Sequence, residues 1–313
     1  MRTVSRPEGA ARAVNLESRL PARPVVFAWD LHYSCNYRCP YCFYNEAGWT
    51  ELAKKNLYFE PAKWEAAWSR AHDLYGRCQL RVTAGEPFTY PRFDEVLERI
   101  ARLHDLQVTT NGSQGAAIRR AAERIDPAAL ELDCTYHPLS GELEPFADNV
   151  ALLRARGFVA NVCFLAYPPQ MPRMAEYKRR FAERGLYMNM AVYWGTFKGE
   201  QYPFAYTEAE RRAIKETIGL DVGPETVNLE PVSFRGRPCG AGQRYGVVQG
   251  DGRVFRCGQL GLEHQSIGSL FDPSFRLAEA AFPCEVDYCR SKEFQVAWDD
   301  ADRETLLREN RLR

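Results

Sequence analysis

Charge of one sign is missing from this chain. Across 313 residues, 41 Lys and Arg stand against 41 Asp and Glu, for a formal net charge of zero. That balance gives no general electrostatic pull toward nucleic acid or an anionic membrane. Long hydrophobic runs are missing too, and none approaches the roughly 18 residues that span a bilayer. The first 23 residues are polar and Arg-containing, without the apolar core of a secretory signal. No internal repeat or low-complexity stretch interrupts the chain. These absences predict a cytoplasmic protein with no nucleic-acid partner and no membrane partner. Hydrophobic residues at 45% exclude a disordered chain, and the length suits one large α/β domain with a small extension. Ten cysteines remain to be explained. A reducing compartment argues against disulfides, so clustered cysteines read as metal ligands or reactive thiols.

From Pro24 to Gly219, short strand-like runs alternate with amphipathic helices. The strands are expected at Val25–Leu31, Gln79–Thr83, Leu106–Thr110, Leu130–Tyr136, Phe158–Ala166 and Tyr187–Tyr193. Trp64, Trp68, Ala71 and Tyr75 have helical spacing, with Pro61 near the start and Gly76 at the end. Phe93, Val96, Leu97, Ile100 and Leu103 repeat the pattern. Thr207 and Glu210 read as a capping box for a helix running to Ile218. Alternation at this spacing predicts a parallel sheet with right-handed crossovers. The expected architecture is therefore an α/β fold, a partial (β/α)6 TIM-like barrel, with ligands at the C-terminal ends of its strands. After about Leu220 the pattern changes. Tyr245–Gln249, Asp251-Gly252 and Arg253–Arg256 read as a hairpin with a primed turn. The expected division is an N-terminal arm (1–23), the barrel (24–220), and a small Cys-rich hairpin/helix extension with a charged tail (221–313).

Cys35, Cys39 and Cys42 follow directly on the first strand with the spacing Cys-x3-Cys-x2-Cys. Three thiolates can hold three irons of a [4Fe–4S] cluster and leave the fourth open, the mark of a site built for chemistry. The alternative is a zinc knuckle with His32 as fourth ligand.

With Tyr41 immediately before the last cysteine, this segment resembles the radical S-adenosylmethionine (radical SAM) superfamily. A second family motif, Thr83-Ala84-Gly85-Glu86-Pro87, follows the second strand, with Ala84 where the family usually has Gly. The resemblance implies that SAM chelates the open iron and is split by one electron into methionine and a 5′-deoxyadenosyl radical, which takes a hydrogen atom from substrate. It implies that Glu86 accepts hydrogen bonds from the SAM amino group, that Gly85 and Pro87 shape the turn, and that Tyr41 lies near the adenine. It also implies a flavodoxin or ferredoxin-type electron donor. Asn111, in Thr110-Asn111-Gly112, resembles a family position on the SAM carboxylate or ribose; an ordinary Asn-Gly turn reads the same residues equally well. Thr135 matches a small hydroxyl residue the family often has. Asp133, Thr135 and His137 alternate along the fourth strand and share one face, either inward or solvated. His137 is a candidate for substrate contact or proton transfer.

Cys239, Cys257, Cys284 and Cys289 form a second group, with the Asp251-Gly252 turn between the first two. The group resembles the auxiliary-cluster extensions called SPASM and twitch domains. Four cysteines favour the shorter form, with one auxiliary [4Fe–4S] cluster closed by four thiolates. A structural zinc ribbon is the alternative. Cys78, Cys134 and Cys163 read as buried core thiols. Cys163, sharing a face with Asn161, is the better candidate for a hydrogen-atom donor. The expected function is hydrogen abstraction from a small polar substrate, a sugar or aminocyclitol-like molecule, leading to dehydrogenation or epimerisation. Only 23 residues precede the first strand, too few for a folded peptide-recognition domain. The alternatives are a peptide or protein maturase and a non-catalytic zinc-binding module.

Overall fold

The structure, a computed structural model, describes residues 24–46, 48–218, 233–260 and 266–287. All six predicted strands are present. β1 (Val26–Asp30) leads through the first cysteine loop and two short helices, α1 (Phe43–Glu46) and α2 (Trp49–Lys54), into α3 (Pro61–Tyr75). Then come β2 (Gln79–Thr83), α4 (Phe93–Ala101), β3 (Asp105–Thr110), α5 (Gly115–Arg124), β4 (Leu130–Tyr136), α6 (Leu143–Ala155), β5 (Val159–Leu165), α7 (Met174–Glu183) and β6 (Met188–Ala191). Each strand from β1 to β6 is parallel to the next. The result is a partial (β/α)6 barrel.

The strands place the site because their two faces differ in chemistry. Leu80 and Val82, Leu106 and Val108, Leu132 and Cys134, and Val162 and Phe164 face the helices and belong to the main core. Helix α3 starts at Pro61, ends against Gly76 (φ 72), and buries Trp64 and Trp68. The Trp64 ring lies 4.7 Å from that of Trp29, and Trp68 lies 5.4 Å from Phe27. Burying such side chains stabilises the fold by about 1.5–3 kcal/mol each. The alternate strand residues turn inward. There the Gln107 amide donates to Asp133 at 2.8 Å, and Asn161 donates to Glu131 at 2.9 Å and to Asp133 at 3.2 Å. The inner wall is thus polar, and the shared face of Asp133, Thr135 and His137 points inward.

Beyond β6 a short hairpin, β7 (Gly195–Phe197) with β8 (Glu200–Tyr202), precedes α8 (Glu208–Ile218). The capping box at α8 is formed. Glu210 accepts the Thr207 N–H at 2.8 Å, and Thr207 Oγ1 accepts the Glu210 N–H at 3.3 Å. The C-terminal part holds β9 (Pro238–Cys239), β10 (Tyr245–Gln249), β11 (Arg253–Phe255), β12 (Gly268–Ser269) and β13 (Phe282–Pro283). The β10–β11 hairpin lies where the sequence puts it, but β10 also pairs in parallel with β1, from Val26↔Tyr245 to Asp30↔Gln249. The hairpin thereby extends the barrel sheet to nine strands. Its turn is not a primed one, since types I′ and II′ both put the first central residue at positive φ and Gly250 is not there. Gln249 C=O accepts the Gly252 N–H at 2.8 Å, and of the turn residues only Gly252 has positive φ, at 85°. The tail expected beyond Arg290, and Cys289 with it, lie outside the described residues.

Candidate active site

The loop after β1 is tied at several points before it can hold anything. Asn56 clamps its start: the side-chain carbonyl accepts the Tyr33 N–H at 2.8 Å, and the amide donates to Ser34 Oγ at 2.8 Å. Asn45 donates to the Cys39 carbonyl at 2.9 Å, and the Cys42 N–H bonds the same carbonyl at 3.1 Å. The Arg38 guanidinium caps the carbonyls of Cys35 and Tyr37. Sequence reasoning missed Asn56, because a lone Asn on a helix-to-helix connection carries no motif.

Cys35, Cys39 and Cys42 line one wall of a cavity of about 300 Å³ at the C-terminal ends of the strands. Thr83, Gly85 and Glu86, Thr110 and Asn111, and Thr135, His137 and Cys163 line the rest. Every expected cofactor-binding residue except Pro87 is on this wall. Pro87 is buried and opens a single helical turn behind it. Cys134 and Cys78 are fully buried and face away, as core thiols. Tyr193 and Tyr202, beyond β6, are core: their rings pack 5.8 Å apart.

His32 is tied to the loop after β2. Its Nε2 bonds the Glu86 backbone carbonyl at 2.8 Å, and its ring is buried. Among the described residues no three His, Cys, Asp or Glu groups converge as one metal ion requires. Three cysteines on one cavity wall suit the corners of a [4Fe–4S] cluster, whose irons stand apart. Burial pushes the Cys35 thiol up to about 11. Iron at the sulfur would reverse that preference, since a coordinated thiol is deprotonated.

Glu86 differs from expectation. Its side chain is buried and its carboxylate already accepts three hydrogen bonds: from Phe88 N–H at 3.1 Å, Thr110 Oγ1 at 2.7 Å and Asn111 N–H at 2.6 Å. Burial raises its pKa to about 7 against the pull of those donors. Glu86 thus pins the end of β2 to the end of β3, and three bonds leave a carboxylate, with its about four lone-pair sites, able to accept another donor. Asn111 makes the turn of one of its two readings. Gly112 has φ 68 and Ser113 N–H bonds Asn111 Oδ1 at 3.0 Å, a turn, while the Asn111 amide reaches Asn36 Oδ1 at 2.9 Å beside Cys35.

Tyr41 and His137 form a unit. The phenol oxygen lies 2.8 Å from His137 Nδ1, and the rings stack at 5.7 Å and 21°. Burial lowers the His137 pKa to about 4, so the ring is neutral near pH 7. Ser140, which no sequence signal marked, places its hydroxyl 3.6 Å from Cys39 Sγ.

Ala84 sits at φ 71, the left-handed region where L-residues are strained by roughly 1–2 kcal/mol. Glycine relieves that strain but loses some unfolded-state entropy. Ala84→Gly is therefore expected to stabilise the protein by about 0.5–1 kcal/mol, read from urea unfolding midpoints. A drop in the midpoint would contradict this reading of the backbone.

In the C-terminal part, Cys239, Cys257 and Cys284 gather in one apolar cluster with Val26, Ala28, Tyr245 and Phe255. Three of the four expected auxiliary ligands therefore share one place.

Residues 31–168 match the family model described as the Radical SAM superfamily. Over 140 residues the chain is 29% identical to GTP 3′,8-cyclase 2 of Pseudomonas aeruginosa, covering 40% of each protein. Its fold is similar to that of SuiB of Streptococcus suis bound to precursor peptide SuiA, at 15% identity and a TM-score of 0.56, over 80% of this chain and 63% of that one. It is also similar to anSMEcpe with bound AdoMet, at 15% identity and a TM-score of 0.54, over 80% of this chain and 78% of that one. The chain thus spans less than half of the curated relative and under two thirds of SuiB. No described helix is long and apolar enough to cross a membrane.

Proposed function

We propose, from the premise that this chain carries a radical SAM domain with its [4Fe–4S] cluster and SAM, that it removes a hydrogen atom from a small polar molecule such as a sugar or aminocyclitol. The outcome would be dehydrogenation or epimerisation. One observation carries the reading: three thiols share a single cavity with Glu86, Asn111, Thr135, His137 and Cys163. Its volume of about 300 Å³ lies at the small-molecule end of ligand sites. Asn111, Thr135 and His137 on its wall match hydroxyl and amino groups.

When bound, the first cluster supplies the electron that splits SAM into methionine and a 5′-deoxyadenosyl radical, and an auxiliary cluster supplies an acceptor for the electron left on substrate. Cys35, Cys39 and Cys42 would hold the first cluster. Cys239, Cys257, Cys284 and Cys289 would hold the auxiliary one, in a C-terminal domain spanning 221–313. A flavodoxin or ferredoxin-type protein would be the reductant. Gly85 lets the turn close on the cysteine loop, and Pro87 and Glu86 fix its far side. Asn111 and Thr135 offer hydrogen bonds to SAM or substrate, and Tyr41 offers a ring to the adenine. His137, neutral and steered by the Tyr41 hydroxyl, can take a proton from a substrate hydroxyl. Cys163 faces Thr135 in strand register. Its S–H can return a hydrogen atom to a substrate carbon radical, leaving a thiyl radical to be reduced by the electron donor.

Anaerobic protein reconstituted with iron and sulfide, given dithionite, SAM and a panel of sugars and aminocyclitols, is expected to release 5′-deoxyadenosine with a subset of them. Run in D2O, Cys163-dependent epimerisation would place deuterium on the product carbon, and Cys163→Ala would keep SAM cleavage while losing that product. Deoxyadenosine release dependent on a peptide, or a colourless zinc protein that leaves SAM intact, would overturn the proposal.

A further inference from the structure

Three cysteines of the C-terminal part come from three separate stretches of chain. Cys239 ends β9, Cys257 follows β11, and Cys284 follows β13. Strands β9 and β13 are already paired, with Cys239 opposite Phe282. The β11 end is joined to both by one side chain, Arg256. Its Nε donates to the Ala241 carbonyl at 3.1 Å, two residues past Cys239. One terminal nitrogen donates to the Pro283 carbonyl at 2.5 Å and the other to Glu285 Oε1 at 2.7 Å, on either side of Cys284. Arg256 itself immediately precedes Cys257. Its guanidinium also lies 4.7 Å over the Phe282 ring, and only 12% of the side chain is exposed. Room for it exists because residue 242 is glycine, where a Cβ would stand 3.0 Å from Arg256 Cγ and 3.1 Å from the Phe282 ring.

We propose that Arg256 is the positioning residue of the auxiliary site: it gathers the three cysteine-bearing segments before metal arrives and keeps a fixed positive charge beside the thiolates. The inference rests on the auxiliary-cluster reading above. A planar fork of five donors can span three acceptors at once, which a lysine ammonium cannot do in the same geometry. The charge has a second effect. A cubane on four thiolates is anionic, so a fixed cation beside it favours the reduced form and raises its potential. That suits a cluster that receives an electron.

The test uses two variants of the full chain. In iron-free protein under reductant, iodoacetamide labelling is followed by mass spectrometry at Cys239, Cys257 and Cys284, with the core thiols Cys78 and Cys134 as internal standards. Arg256→Gln and Arg256→Lys are both expected to label Cys239 and Cys284 about tenfold faster than wild type, through local opening, while the standards do not change. Wild-type rates in both variants would overturn the brace. In reconstituted protein, an EPR-monitored redox titration of the second cluster is expected to give Arg256→Lys a potential near wild type and Arg256→Gln a more negative one. An unchanged Arg256→Gln potential would overturn the electrostatic role. A wild-type protein holding only four irons would overturn the auxiliary-cluster reading, a result independent of the labelling contrast.

Discussion

Adding one methyl group at position 85 is expected to strip this protein of its first iron–sulfur site. A Cβ on Gly85 would lie 2.1 Å from the Ser34 carbonyl oxygen and 2.9 Å from that of His32. Both are backbone atoms and cannot swing aside as a side-chain tip could. Gly85 has no positive φ, so the requirement is space alone. The same contact carries a hydrogen bond, Glu86 N–H to Ser34 O at 2.9 Å. Gly85→Ala must therefore push apart the two loops that form facing parts of the cavity. Overpacking of this kind costs roughly 1–3 kcal/mol, and the displaced segment is the one that bears the cysteines. The expected result is a lower thermal midpoint together with the loss of about four irons after reconstitution. A variant with wild-type iron content would show that the loop does not depend on this approach.

Cys39→Ala is expected to lower 5′-deoxyadenosine formation by at least about a thousandfold, the scale on which loss of an indispensable catalytic group acts. Cys39 is buried beside Ser140, between the loop and the turn after β4. Two thiolates would leave the cubane without its third protein attachment. The contrast that gives the experiment its meaning is Cys134→Ala. Cys134 is as buried as any residue here, yet it points to the helix side of β4. Its loss should cost about 1 kcal/mol of stability and leave SAM cleavage intact. Equal activities in the two variants would sink the assignment of the first cysteine group.

Much of this site is written in short stretches of chain. The cysteine spacing, the Gly85-Glu86-Pro87 turn and the alternation of Asp133, Thr135 and His137 are each visible within a dozen residues, whereas the inward turn of that shared face was decided by the barrel. Each reading places its residues correctly in space. The reading of Glu86 did not transfer so simply. Its carboxylate is taken up by Thr110 and by Asn111, 25 residues away in sequence, and no local pattern shows which lone pairs a fold will fill. Asn56 was invisible for the same reason. It acts 22 and 23 residues from its own position, and nothing around it marks a clamp.

Periodicity, caps and ligand spacing act over one or two turns of chain, so the sequence alone determined the six βα units, which residues of β4 share a face, the α8 capping box and the first set of thiols. Contacts between distant segments were decided only once the chain had closed. The pairing of β10 with β1, the approach of Gly85 to Ser34, and the span of Arg256 from Ala241 to Glu285 depend on surfaces brought together by burial of the shared core. Such partners are selected by shape and by unfilled hydrogen bonds, which exist only in the folded molecule.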